Sequence, residues 1–232
     1  MKKQVIVLSL GGSLIVPNEL NLKYLKEFKK AISKNTNKFK FIIVCGGGST
    51  ARKYIRGLDG IKSKNKKILQ AFLGIDSTRL NSRFVQYFFF NDPKRKIIST
   101  MKTLKREIKK KDVIFWYGTF EYEPKKTSDS AAAEVATKFK AIFVNLTNVD
   151  GLFDKNPKRF KDSKLISKIS WADFYKKANE LKYKPGQHFI LDQTASKIIM
   201  ENKIPTYILG QSMKNLNNFL KGKKFKGTTI KG

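Results

Sequence analysis

From one end to the other, the chain alternates between two kinds of segment. Short apolar runs rich in β-branched and aromatic residues are followed by longer stretches with apolar residues at helical spacing. The strand-like runs are "QVIVLSL", "FIIVC", "KKDVIFWYG", "AIFVNLT", "PTYIL" and "GTTI". Between them, "LKYLKEFKKAI" places Leu22, Leu25, Phe28 and Ile32 on one helical face, and a second helix is predicted over 49–58, opened by the N-cap types Ser49 and Thr50. "ILQAFLGIDSTRLNSRFVQYFFF" reads as a long amphipathic helix ending near Phe90. "SDSAAAEVATKF" reads as a helix capped by Ser128 or Asp129, and "SWADFYKKANEL" as one capped by Ser170. "QTASKIIMENK" and "SMKNLNNFLKG" complete the helical set. Such alternation implies βαβ units: an α/β fold with a mostly parallel sheet covered by helices on both faces. No repeat and no linker divides it.

In such sheets ligands sit beyond the carboxyl ends of the strands. Here those ends read "LGGSLIVP" (residues 10–17), "GGGSTAR" (46–52), "GTFEYEPKKTSDSAAA" (118–133) and "TNVDGLFDKNPK" (147–158). Gly, Ser, Thr and Asp cluster at each. The glycine triplet Gly46–Gly48 has two readings. It is a tight strand-to-helix turn, or a place where backbone N–H groups approach an anion at the positive end of a helix dipole.

Composition narrows the classes. With 232 residues and 41% hydrophobic content the chain can bury one large α/β core. Its net charge of +31 raises nucleic acid or an anionic substrate as partners. The lysines spread over every segment instead of forming one stripe, and no aromatic-basic RNA-binding motif occurs, so they read as solvated faces and no specific nucleic-acid partner is expected. One cysteine, Cys45, excludes an internal disulfide, and it ends an apolar strand as a structural thiol would. The single His188 has no partner for a metal site, so no protein-only metal site is expected. The start "MKKQVIVLSLGGSLIVP" imitates a signal peptide, but Gly11 and Gly12 interrupt a run too short to span a bilayer. A first strand, no membrane association and a cytoplasmic protein are expected.

Taken in order, "LGGSLIVP", "GGGSTARKYI", "GIDSTRLN", "TSDSAAAEVA", "TNVDGLFDKNPK", "ILDQTASKII" and "GTTI" resemble the amino acid kinase superfamily over nearly the whole chain. Within it they look most like the archaeal-type uridylate kinases. The resemblance implies a single three-layer αβα sandwich on a sheet of about eight strands. It implies an acceptor-binding part over about 1–144 and an ATP-binding part over about 145–232. The implied reaction is Mg²⁺-dependent phosphoryl transfer from ATP to UMP, without a Walker A loop, in pyrimidine nucleotide synthesis. The implied assembly is a homo-oligomer, commonly a hexamer.

Residue by residue, the resemblance puts Gly12, Ser13, Gly48 and Arg52 at the ATP phosphates, and Thr147, Phe153 and Asn156 around adenine and ribose. Gly47, Thr119, Thr127 and Ser128 fall on the UMP side. Asp129 and Asp192 fall at the reaction centre, where relatives use them to orient a catalytic Lys and help place Mg²⁺. Each also reads as a helix N-cap. Two positions depart from the family pattern. Ser9 stands where many relatives carry that Lys, leaving Lys197 or Lys126 to supply the cation. Ala71 stands where relatives hold the UMP ribose with Asp, and nearby Asp76 lies on another helical face. The loop 119–126 is also longer than in close relatives.

Other readings stay open on the sequence alone. One is a superfamily kinase for another acceptor, such as an amino acid or isopentenyl phosphate. The latter enzymes place a His shortly after the glycine triplet, where this chain has Arg52 and Lys53. Another is a nucleotide-binding relative that is inactive or regulatory.

Overall fold

The protein is described here by a computed structural model that covers residues 3–118, 126–157, 159–180 and 190–232. In chain order the elements are β1 (Gln4–Leu10), α1 (Gly12–Ile15), α2 (Leu22–Ser33), β2 (Phe39–Cys45), α3 (Gly48–Gly57), α4 (Lys66–Phe90), α5 (Met101–Lys110) and β3 (Val113–Trp116). There follow α6 (Ser128–Phe139), β4 (Ile142–Leu146), β5 (Lys168–Ile169), α7 (Trp171–Glu180), α8 (Gln193–Glu201), β6 (Thr206–Leu209), α9 (Met213–Leu220) and β7 (Gly227–Ile230).

Among the described residues one sheet of seven strands forms, in the order β3-β2-β1-β4-β6-β7-β5, against the eight or so that the resemblance implied. All neighbours are parallel except β6 and β7. The central strands read as unbroken apolar runs because both of their faces are buried. Ile6, Leu8 and Leu10 of β1 join Phe41, Ile43 and Cys45 of β2 on the face covered by α1, α2, α4 and α9. Val7, Ile42, Val44 and Phe143 point to the other face, covered by α5, α6, α7 and α8. The three-layer αβα architecture is therefore present. Cys45 is buried in the first core, where burial pushes its thiol up to about 12 against a hydrogen bond to Ser82, so it is an inert packing residue.

Strand order changes direction between β1 and β4: β2 and β3 lie to one side of β1, and β4 begins the other. That switch point opens a crevice at the carboxyl ends of the strands. The Gly11 N–H donates to the Leu146 carbonyl across it at 2.9 Å.

Several local readings need correction. α6 is capped by Thr127, not by Ser128 or Asp129: the Thr127 hydroxyl accepts from the Asp129 and Ser130 N–H groups, and Ser130 Oγ returns an acceptor to Thr127 N–H. α3 begins at Gly48, with Gly47 as an N-cap that offers no side chain, so neither Ser49 nor Thr50 caps it. α4 is not amphipathic; its apolar residues spread around the whole circumference. α5 and the two-residue β5 were not expected. α5 buries only Leu104 and Ile108 and is otherwise basic, so its apolar signal is thin. Ser170 does receive the Asp173 N–H at the start of α7, as its sequence suggests.

Candidate active site

Two glycine loops meet at the switch point. A Cβ on Gly12 would lie 2.0 Å from the Gly48 nitrogen, and one on Gly46 would lie 2.6 Å from the Gly12 nitrogen. Backbone therefore packs directly on backbone, and only glycine allows it. Gly48 also takes φ +61°, the left-handed region. Thus Gly46 and Gly48 have a loop-on-loop reason, distinct from a simple turn.

A residue that sequence reasoning missed fixes this loop. Asn81, buried in α4, donates its Nδ2 to the Gly46 carbonyl at 2.8 Å and to the Gly47 carbonyl at 3.1 Å. In a trans peptide the N–H points opposite the C=O. Tying both carbonyls to α4 therefore turns the Gly47 and Gly48 N–H groups away from it. Among the described residues the N–H groups of Gly12, Ser13, Gly47 and Gly48 meet no acceptor. Four donors left open around two glycine loops make a cradle suited to phosphate. No sequence signal singled out Asn81, because its neighbours on the helix are mixed: Ser77 and Thr78 on one side, Phe84 and Val85 on the other.

Arg52 reaches from α3 to the Pro17 carbonyl at 3.2 Å, alongside the Ser49 bond to the Asn18 carbonyl, so α3 is fastened to the loop after α1. Thr147 follows β4 at the crevice and is tied by its N–H to the Leu209 carbonyl. Further along, Phe153 makes a bridge to Leu165 and is half-buried, and Asn156 is exposed. The loop that carries them is pinned from behind. The buried Thr228 hydroxyl accepts from Leu152 N–H and donates to the Ile166 carbonyl, both at 2.7 Å.

Opposite the glycines, the N-termini of α6 and α8 converge. Ser9 Oγ donates to Asp129 Oδ1 at 2.7 Å, and Thr127 Oγ1 donates to Asp192 Oδ2 at 2.5 Å. Asp192 is the N-cap of α8, accepting from Ala195 N–H at 2.8 Å. Burial pushes the Asp129 carboxyl up to about 7; the Ser9 hydroxyl opposes this, and the nearby Asp192 adds to it. Ser9 meets Asp129 with a hydroxyl and brings no charge to it. The structure thus brings together Gly12, Ser13, Gly47, Gly48, Thr127, Ser128, Asp129, Asp192 and Thr147 along one edge of the sheet.

Other expected site residues stand apart. Lys197 is exposed on α8 and pairs with Glu201 at 3.7 Å, not with either aspartate. Lys126 pairs with Glu134 at 3.0 Å. Asp76 turns outward to Arg79 at 3.1 Å, as its helical position required. Thr119 and the rest of the long loop up to residue 125 lie outside the described residues, as does His188.

No group of three or more potential metal-ligating side chains occurs among the described residues. Asp129 and Asp192 offer hard carboxylate oxygens, which suit Mg²⁺ bound partly by the protein and partly by substrate phosphates.

The comparisons with known proteins agree with this geometry. The profile of the amino acid kinase family matches residues 4–210. The uridylate kinase of Thermoplasma volcanium is 31% identical over 227 residues, covering 97% of this chain and 96% of the relative. That of Archaeoglobus fulgidus is also 31% identical over 227 residues, covering 97% and 99%. The crystal structure of the Archaeoglobus fulgidus enzyme superposes with a TM-score of 0.81 at 29% identity, over 97% of this chain and 99% of that one. With the sheet order, the paired glycine loops and the converging helix N-termini already in place, the match over nearly the whole length shows that the chain belongs to the amino acid kinase family.

Proposed function

We propose that the chain is a nucleoside monophosphate kinase that transfers the γ-phosphoryl group of ATP to UMP, giving UDP and ADP. The observation that carries this reading is the meeting of two glycine loops and two helix N-termini at one sheet edge. That arrangement provides for two phosphate-bearing ligands facing each other. The acceptor is assigned from the relatives, whose similarity runs over 97% of the chain.

Phosphoryl transfer asks little covalent chemistry of a protein. It asks for alignment of the two nucleotides, neutralised charge and excluded water. Gly12, Ser13 and Gly48 present backbone N–H groups to the ATP phosphates, with Arg52 beside them. Gly47 faces the acceptor phosphate between them, and Thr127 and Ser128 receive UMP at the start of α6. Thr147, Phe153 and Asn156 line the adenine and ribose side. Asp129 and Asp192 would hold Mg²⁺, which when bound would supply positive charge against the phosphates. Lys197 supplies a further cation once it leaves Glu201. An exposed ion pair of that kind is worth at most about 1 kcal/mol, so the exchange costs little. In this reading the protein works in pyrimidine nucleotide synthesis in the cytoplasm, with an acceptor half to about residue 144 and a donor half beyond it.

One observation favours a second reading, a nucleotide-binding relative without turnover: Ser9 leaves Asp129 and Asp192 with a hydroxyl between them and the sheet where a cation is usual. A single assay separates the two. With ATP and Mg²⁺, UMP is expected to drive ADP release far faster than CMP, AMP, glutamate or isopentenyl phosphate. Background rates with every acceptor would establish the inactive relative.

A further inference from the structure

The middle of a sheet buried on both faces is a costly place for a polar side chain. An unpaired amide or hydroxyl there loses its water without compensation. Two such side chains sit side by side in this sheet. Ser9 of β1 and Asn145 of β4 are register partners and are only 1% and 3% exposed. By the alternation of their strands, both point to the face covered by α6 and α8, beyond Val7 and Phe143. Each is satisfied by one of the two acidic turns. Ser9 holds the Asp129 carboxylate itself, at 2.7 Å. Asn145 Nδ2 donates to the Ile190 carbonyl at 2.9 Å, two residues before Asp192.

We propose that Asn145 is a positioning residue for the phosphoryl-transfer site: by anchoring the Ile190 carbonyl to the sheet it sets where Asp192 stands relative to Asp129. The inference rests on the kinase reading above and extends it to a strand residue that touches no substrate. Three features support it. The bond joins an interior strand of the sheet to the turn that delivers a carboxylate. Leu191, between the anchor and Asp192, is fully buried, so little slack remains between Asn145 and the cap. Asp192 in turn receives the Thr127 hydroxyl, so the α8 cap and the α6 cap are linked, and movement of one moves the other. Ser9 and Asn145 thus act as a matched pair of pegs, one for each aspartate, at neighbouring places in the sheet.

The experiment is to replace Asn145→Leu, which keeps the branched shape and removes the donor. Asn145→Thr is made alongside it. Its hydroxyl is one bond too short to reach the carbonyl, and it suits a strand should the leucine variant fail to fold. Two readouts are taken. In steady-state assays with UMP, kcat is expected to fall at least tenfold, with the KM values for ATP and UMP within about threefold of the parent. In amide exchange, the Ala195 N–H, which reports on the Asp192 cap, is expected to lose protection about tenfold, while amides of α9 keep theirs. Parent-like kcat, or parent-like Ala195 protection, in a folded variant overturns the proposal. A parent protein that turns over no acceptor defeats the kinase reading instead; the Ala195 result then decides the positioning claim alone.

Discussion

Asp129 is the second residue of α6, and what it does there differs from what its place in the sequence suggests. An aspartate at the head of a helix is most often a cap, but Thr127 already caps α6, so the carboxyl is left to face Ser9. In the folded protein it keeps its proton up to about pH 7, against 3.8 in the unfolded chain. Folding therefore takes up a proton between those values. Stability contributed by this group is greatest below about pH 4, falls as pH rises to about 7, and stays low above it. Asp129→Asn removes that dependence. The variant is expected to lose turnover by orders of magnitude. In the absence of nucleotide it should also be more stable than the parent at pH 8, by an amount on the order of a few kcal/mol, and match it near pH 4. Melting curves at the two pH values check the sign; a variant that melts lower at pH 8 would show that the charge is compensated. Asp192, a true cap, should tolerate the same change with little loss of stability, because Asn caps nearly as well.

At the scale of elements, the glycine loops show what a sequence reveals and what it hides. Strand alternation, the polar strand ends and the helix at 128–139 were all legible, because burial on two faces and capping leave marks on neighbouring residues. The partner of a loop leaves none. Nothing near Gly46–Gly48 indicates that Gly12 lies against it, since that contact exists only once β1 and β2 are paired. The same is true of Asn81 and Asn145, whose acceptors lie 34 to 45 residues away. α5 escaped notice because two apolar residues at i and i+4 in a lysine-rich run look like surface. The loop contact makes a sharp comparison possible. Gly12→Ala is expected to force the two loops apart, abolish turnover and lower the melting temperature by several degrees, because the added carbon meets backbone. Gly57→Ala, where nothing lies within 4 Å, should instead raise stability by about 0.5–1 kcal/mol and leave turnover alone. Equal effects from the two would mean that the loops separate easily.

For the whole molecule, α4 raises the question of assembly. The large apolar side chains of a helix are normally turned into the core. Yet Leu69, Leu80 and Tyr87, which fall on one face at helical spacing, are 41%, 60% and 41% exposed, and Tyr54 of neighbouring α3 is 60% exposed. We propose that this face packs against a second copy of the chain, the first step toward the oligomer that the family resemblance implies. Leu80→Glu should give a folded monomer by light scattering. Because each copy carries a net charge of +31, assembly of the parent should strengthen as salt screens that repulsion. A parent that scatters as a monomer at every salt concentration would assign the face to something else.

The last strand carries a consequence of a different kind. β7 runs between β6 and β5, and its Thr228 pins the loop that begins at Leu152. Among the described residues β5 has no other neighbour in the sheet, so it can join only after residues 227–230 have been made and have left the ribosome. Synthesis runs from the other end, and the glycine loops and both aspartates emerge earlier. A growing chain is therefore expected to bring its glycine loops together while the loop from Leu152 is still unfastened by Thr228, and in the kinase reading proposed above ATP binding would tighten only once β7 is in place.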